Sequence, residues 1–407
     1  MPCADVLVIG GGASGLAAAA SAAEQGDHVL LLEAQSKPGK KILASGNGRC
    51  NLMNWNSPVY YGDDDFARAV FAECPREQIV GFFHRYGLIL RSDQAGRVYP
   101  CTFQSSSVLE TLLLALESNE ASVMTGQQVN RVERGANGFR VSTASGEMYE
   151  AGRVILATGG PAQPKLGSSS DGVQLISPFG HTAVPFKPAL TPLITDSRSI
   201  SGLSGIRVRC EVQIETDGKA VHSECGELLF TNDGISGICA MQCARFVSPG
   251  KSLCRLNLIY DLFSSISAAE QELLRRRAAF PDADPVTLIQ GICVPKLAFA
   301  VCKQAGLPMR GEKNAELTVR QICSLAEALS CYTLRIMDIK GFDHAQVSSG
   351  GLACSLFSPH TMESLLQKGL FATGEVLNVD GDCGGFNLMF AWATGLLAGR
   401  NGRKAIC

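Results

Sequence analysis

Residues 5–33 read DVLVIGGGASGLAAAASAAEQGDHVLLLE, and each part of that stretch has a mechanical job. Val6 to Ile9 is a short apolar run of buried-strand type. Gly10 allows a tight turn out of it, Gly12 lets the backbone approach a ligand, and Gly15 lets the next helix pack against the strand. The spacing predicts a helix from about Ala13 to Gln25, stopped by Gly26, and a second strand over Val29 to Leu32. The amides of Ala13 and Ser14 open that helix, so its positive dipole end faces whatever the turn holds. Glu33 ends the second strand about twenty residues beyond the turn, where a carboxylate can accept both hydroxyls of a ribose. Strand, turn, helix, strand and acid in register predict a bound dinucleotide, its pyrophosphate on Gly10 to Gly15 and its ribose on Glu33.

Simpler readings of the same stretch fare worse. A secretory segment would lead with basic residues, and Met1 to Asp5 holds none. Three consecutive glycines break the apolar run well short of membrane length, so no membrane partner is expected. With 407 residues, the chain is long enough for two domains, or for one domain carrying an insertion. Thirty-six basic residues against 38 acidic ones, a net charge of −2, give no basic surface for nucleic acid. Sixteen cysteines are scattered without a CxxC pair; the nearest same-face pair is Cys239 and Cys243. That pattern fits neither a zinc site nor a disulfide reductase, so no metal is expected. The thiols read as small buried hydrophobes of a cytoplasmic protein.

After Glu33 comes a loop dense in Gly, Lys, Asn and Ser, then amphipathic helical spacing over about Asp63 to Gly87 and Ser106 to Ser118. Strands follow at Ala121 to Thr125 and Val129 to Arg134. A hairpin comes next, Phe139 to Thr143 and Met148 to Ala151, and then an apolar run, Val154 to Ala157. From about Leu190 to Glu224 apolar and polar residues alternate in the manner of antiparallel strands, and residues 266–332 are helical in character. The organisation is therefore α/β: a Rossmann-like domain over residues 1–189 and 335–407, interrupted at 190–334 by an inserted substrate or cap domain, β first and then helical.

Two later stretches carry chemistry. VILATGG (Val154 to Gly160) is a buried strand ending in glycines that permit close backbone approach; Thr158 and Gly159 stand at its tip. GEVLNVDGDCGGFN (Gly374 to Asn387) places Asp380 to take hydroxyls of a ribityl chain, while Gly384 and Gly385 open a helix over about Phe386 to Leu397. The first amides of that helix can stabilise negative charge on a reduced flavin ring. Together with the first stretch, they predict FAD bound in an extended form.

Residues 37–54, KPGKKILASGNGRCNLMN, with RVYP at 97–100, ATGGPAQPKLGSSSDG at 157–172, GELLFTNDGISG at 226–237 and ATGEVLNVDGDCGGFNLMFAWATG at 372–395, resemble the BaiN/YhiN-type NAD(P)/FAD-dependent oxidoreductases. The motifs occur in family order along essentially the whole chain. The resemblance implies a GR2-type FAD domain interrupted by a β-barrel-like and helical insertion. It puts Lys41 and the turn of Arg49, Cys50 and Asn51 near the flavin and the backbone of Val129 at the adenine. Gly374, Glu375, Asp380, Gly385, Phe386, Asn387 and Leu388 would line the ribityl chain and ring. The sequence departs from the family's FTHxGxSGP at Asn232 and Ile238, and from its GYNLQ at Phe386 and Met389.

The flavin carries the redox chemistry, so the protein need only bind it, orient a small-molecule substrate and supply a proton. Proton-transfer candidates are His344, ahead of the AQVSSGG stretch that the family resemblance carries past the flavin, and Cys50, as a reactive thiol of the GRCN turn. His181 is expected beneath the sheet and Arg275 to Arg277 on a solvated helix face. With a single dinucleotide fingerprint, NAD(P)H is expected only as a transient co-substrate. The expected activity is NAD(P)H-driven reduction of an activated C=C, as the resemblance implies for unsaturated 3-oxo-steroids or bile acids. The alternatives are a flavin oxidase of a small amine and a flavin-binding protein without turnover.

Overall fold

Strand Cys3–Ile9 sits at the centre of a parallel array in the computed structural model, which describes residues 3–136, 138–307 and 313–401. The strand pairs on one side with Val29–Glu33 and on the other with Met148–Leu156; Leu370–Ala372 pairs in turn with the latter. Ser122–Thr125 extends the sheet beyond Val29–Glu33. Runs such as VLVI and VLLL are buried on both faces, as parallel strands with helical cover require. The registers Ile9↔Leu32, Ile9↔Leu156 and Leu156↔Ala372 align four strand ends along one edge. Ligands of open parallel sheets bind outside that carboxyl edge.

The N-terminal helix Ala13–Glu24 is buried along ten of its twelve residues. Its small side chains exist to let the C-terminal helix Phe386–Asn401 come close. A Cβ on Gly395 would lie 2.4 Å from Ser14 O, and one on Gly399 would lie 2.5 Å from Ala18 O. The two ends of the chain thus pack backbone against backbone.

Two expected elements differ in detail. The amphipathic stretch 63–87 is two helices, Asp64–Glu73 and Arg76–Arg85, because Pro75 donates no amide and holds Cys74 extended at φ −130°, ψ 77°. The hairpin strand and the apolar run at 154–157 form one strand, Met148–Leu156, antiparallel to Gly138–Thr143 and parallel to Cys3–Ile9.

The chain divides into two compact units, one comprising Met1–Pro188 with Gln346–Cys407 and the other Ala189–Ala345. In the second, Leu193–Thr195, Gly234–Ser236, Lys219–Phe230, Arg207–Thr216, Ser252–Asn257 and Tyr332–Ile339 close a six-stranded antiparallel barrel. Helices Ile266–Ala279, Pro295–Gln304 and Val319–Ser330 share a core with it. The return to the first unit, expected at residue 335, falls at Gln346 because strand Tyr332–Ile339 is needed to close the barrel. Nor are the three arginines a solvated face. Arg276 donates to the carbonyls of Leu288 and Gln290, and Arg277 to those of Asn314 and Ala315. Arg275 and Arg276 both pair with Glu272 of their own helix at 2.7 Å, and Arg275 alone of the three stands exposed. Among the described residues, no helix is long and apolar enough to cross a membrane.

Candidate functional site

At the carboxyl edge of the parallel sheet the three glycines separate into distinct roles. Gly10 has φ +105°, and a Cβ there would strike Ala157 O at 2.5 Å; one on Gly15 would strike Gly10 O at 1.9 Å. Both are demanded by the fold itself. A Cβ on Gly12 meets nothing within 4 Å, so this glycine keeps a space clear at the mouth of the helix that begins with Ala13 and Ser14. Glu33 is half-buried at its strand end; Oε2 accepts from Gly11 N at 2.6 Å and Oε1 from Gln35 N at 2.7 Å. The segment leading to Val129 is tied to the same corner, with Gln127 N donating to Glu33 O at 2.8 Å.

The C-terminal loop folds back onto this edge. A Cβ on Gly374, at φ +72°, would meet Ser14 Oγ at 2.6 Å, and Gly374 N donates to Thr394 Oγ1 at 3.0 Å. Glu375 Oε2 pairs with Lys41 Nζ at 2.7 Å across 334 residues of sequence, while its Oε1 accepts from Ser348 N at 2.8 Å. Asp380 is buried in strand Val379–Gly381, which pairs with Tyr60–Gly62. Asn387 is a clamp for the loop: its Oδ1 accepts from Gly381 N, and its Nδ2 donates to Gly381 O, both at 2.8 Å. Phe386 is buried and Leu388 half-buried at the start of the last helix. A Cβ on Gly385 would lie 2.7 Å from Asn51 Oδ1.

Three buried oxygens of this region, Asn51 Oδ1, Thr158 Oγ1 and Thr373 Oγ1, have no hydrogen-bond partner among the described residues. Buried polar atoms are rarely left so, because each forfeits its hydration without compensation. A ligand rich in hydroxyls and ring N–H groups completes them. The open turn, the acid at the second strand end and these orphaned oxygens fit FAD. Gly159, at φ +71° with open space beside it, adds a further stretch of approachable backbone.

The other candidates differ in their surroundings. Cys50 is fully buried in the core, and burial pushes its thiol up to about 11 against a lowering bond from Ser45. At neutral pH it is a protonated packing residue, and the reactive-thiol expectation fails on that ground. His344 is exposed and belongs to the barrel unit. Arg49 is exposed. His181 is buried, its ring stacked on Phe357 at 5.1 Å, with Nε2 2.8 Å from Ser364 Oγ. Ser348, Thr373 and Thr394 escaped sequence reading, since small hydroxyl residues signal nothing until a distant segment meets them.

A Rossmann-type FAD domain carrying an inserted closed barrel, with this site at its strand ends, defines an FAD-dependent oxidoreductase. The chain belongs to the HI0933-like protein Rossmann domain family, matching it over residues 4–401. It is 37% identical over 406 residues to the 3-dehydro-bile acid delta(4,6)-reductase of Clostridium scindens, covering 97% of each chain. The ribosomal RNA dihydrouridine synthase of Escherichia coli (strain K12) is 28% identical over 397 residues, 96% of each chain. Among solved structures, the 3-ketosteroid-delta4-(5alpha)-dehydrogenase from Rhodococcus jostii RHA1 shares the fold, with a TM-score of 0.51 at 16% identity and coverage of 99% of this chain and 97% of that one.

Proposed function

We propose that this protein catalyses the NAD(P)H-driven reduction of a C=C conjugated to a carbonyl, in a small hydrophobic substrate such as an unsaturated 3-oxo-steroid or bile acid. The observation that carries this reading is the 37% identity, over 97% of both chains, with a delta(4,6)-reductase. FAD, when bound, supplies the hydride. The chain's own residues do the rest. The backbone of Gly10 to Gly15 and the helix start at Ala13 receive the pyrophosphate, and Glu33 receives the ribose. The Lys41–Glu375 pair, with Ser348 N on the carboxylate, holds the loop beside Gly160 in place. The amides opening helix Phe386–Asn401 favour the anionic, reduced form of the ring. Fifteen described cysteines, all free thiols, suit a reducing cytoplasm.

The two ribosomal RNA dihydrouridine synthases, 28% and 27% identical, suggest a second acceptor of the same chemistry, because dihydrouridine is uridine with its carbonyl-conjugated C=C saturated. The net charge of −2 favours the small substrate over a polyanion. The test is anaerobic. NADH or NADPH should bleach the flavin, and an unsaturated 3-oxo-steroid should restore its colour. Restoration by ribosomal RNA and not by the steroid would replace the first reading with the second. No bleaching by either nucleotide, with peroxide released from amines, would remove both.

A further inference from the structure

The RVYP stretch takes no part in the site described above, yet its geometry directs it there. Strand Arg97–Pro100 is the middle of a three-stranded sheet with Met53–Asn54 and Leu90–Ser92. Pairing sets Met53 opposite Val98, Asn54 opposite Arg97 and Arg91 opposite Tyr99. Directly opposed residues project from the same face. Met53 and Val98, 0% and 1% exposed, mark the core face. Asn54, Arg97, Tyr99 and Arg91 therefore share the other. That face meets the loop opening the C-terminal helix, since Asn54 Nδ2 donates to Gly384 O at 2.9 Å. Cys383, just before Gly384, lies within electrostatic reach of both Arg97 and Tyr99.

Tyr99 differs from the other groups there that hold a proton. Tyr60 donates its hydroxyl to Phe386 O at 2.9 Å, Tyr61 to Asp382 Oδ1 at 3.0 Å, and Cys383 its thiol to Gln346 Oε1 at 3.6 Å. The half-buried Tyr99 rests its ring on Phe103 at 5.7 Å, and no described residue hydrogen-bonds its hydroxyl. Arg91 lies over the same Phe103 ring at 5.3 Å.

We propose that Tyr99 is a catalytic residue, the donor of the proton that completes reduction of the substrate C=C, from the sheet face that meets the Gly384–Gly385 turn. The inference rests on the reductase reading. Hydride joining the carbon β to a carbonyl drives an electron pair onto the carbonyl oxygen. The α carbon of that enolate then bonds the proton of Tyr99 Oη, the O–H bond breaks, and water reprotonates the phenolate. NAD(P)H supplies the two electrons. The surroundings suit the task. Burial pushes the phenol above its ordinary value, with Arg97 and Arg49 opposing and Asp93 and Cys383 adding, so at neutral pH it keeps its proton. The two guanidiniums then stabilise the phenolate left behind.

Tyr99→Phe keeps the ring on Phe103 and removes only the hydroxyl. The variant should retain its flavin and be bleached anaerobically by NAD(P)H at a rate within about twofold of wild type. Reoxidation of its reduced flavin by the unsaturated 3-oxo-steroid should fall by about 100-fold or more, the usual contribution of a positioned acid. The wild-type reoxidation rate should decline at alkaline pH as the phenol ionises, and that limb should be missing from Tyr99→Phe. An ultraviolet alkaline titration should show one fewer ionising phenol. Wild-type reoxidation by the variant, an unchanged alkaline limb, or equal slowing of both half-reactions would overturn the assignment. Failure of the reductase reading looks different: wild-type reduced flavin would persist in the presence of the steroid, and the role given to Tyr99 would fall with it.

Discussion

A Cβ added at Gly12 meets nothing, whereas one added at Gly15 lands 1.9 Å from Gly10 O. Two glycines of one motif should therefore fail in opposite ways. Gly12→Val should leave the melting temperature of the flavin-free protein near wild type and yield colourless protein. Gly15→Val should cost about 1–3 kcal/mol or more of folding stability through overpacking. Visible absorbance and urea denaturation separate the two, and a yellow Gly12→Val protein would refute the pyrophosphate assignment. This much was legible in sequence because a glycine's reason is steric and local. The partners of Lys41 and Glu375 were not, since that pair spans 334 residues that only the folded chain brings together. Cys50 misled for a related reason: a turn rich in Gly, Asn and Arg reads as exposed, but the structure turns that thiol inward. His181 carries a pH consequence. Burial lowers the pKa of its imidazole, against a raising bond to Ile176 O. The unfolded chain then takes up the proton first as pH falls below about 6.5, so the folded state loses stability from there down to the lowered value and is unaffected above. Denaturation midpoints at pH 7.5 and 5 should draw apart more in wild type than in His181→Gln; equal differences would clear His181 of the effect.

Helices and strands were largely visible from periodicity, and the exceptions are informative. The split at Pro75 and the fusion of two apolar runs into Met148–Leu156 both turn on backbone continuity, which side-chain pattern does not report. The pairing of the first helix with the last was invisible altogether, although both carry the small residues that make it possible. That contact positions Ser14 against Gly374, and so joins the pyrophosphate turn to the C-terminal loop. Gly399→Leu should force the helices apart, since even a Cβ there lies 2.5 Å from Ala18 O and 2.6 Å from Ser21 Cβ. The expected cost is about 1–3 kcal/mol or more in urea denaturation, accompanied by weaker flavin retention. Unaltered flavin affinity in a clearly destabilised Gly399→Leu protein would show the helix contact to be structural alone. The strand edge has its own test. Arg153 and Asp27 pair at 2.8 Å with side chains 4% and 6% exposed. Arg153→Met would leave a buried carboxylate unpaired and should cost about 3–5 kcal/mol, most of it recovered when Asp27 is made apolar as well. A double variant no more stable than the single one would contradict this.

The molecule as a whole is two cores threaded on one chain, each with its own buried cluster. Composition and alternation revealed the insertion because antiparallel strands are read differently from buried parallel ones. The exact return point was hidden, because a barrel's closing strand looks like any other strand until its partners are known. The chain enters and leaves the insertion at neighbouring points. Leu193 pairs with Ile339, Lys340 N donates to Pro192 O at 2.9 Å, and Thr191 Oγ1 donates to Lys340 O at 3.0 Å. On the other side of the junction, strand Ala183–Ala189 pairs with Val347–Leu352. Replacing residues 190–344 by a short Gly-Ser linker therefore spans a gap that is already closed, at a small loop-closure cost. The shortened protein should remain folded and yellow, because every residue assigned here to the cofactor, from Gly10 to Leu388, lies in the unit that remains. The excised piece, expressed as Ala189–Ala345, should melt cooperatively and carry no flavin. A colourless shortened protein with an intact melting transition would mean that the insertion contributes to holding FAD, and the site would have to be redrawn to include it.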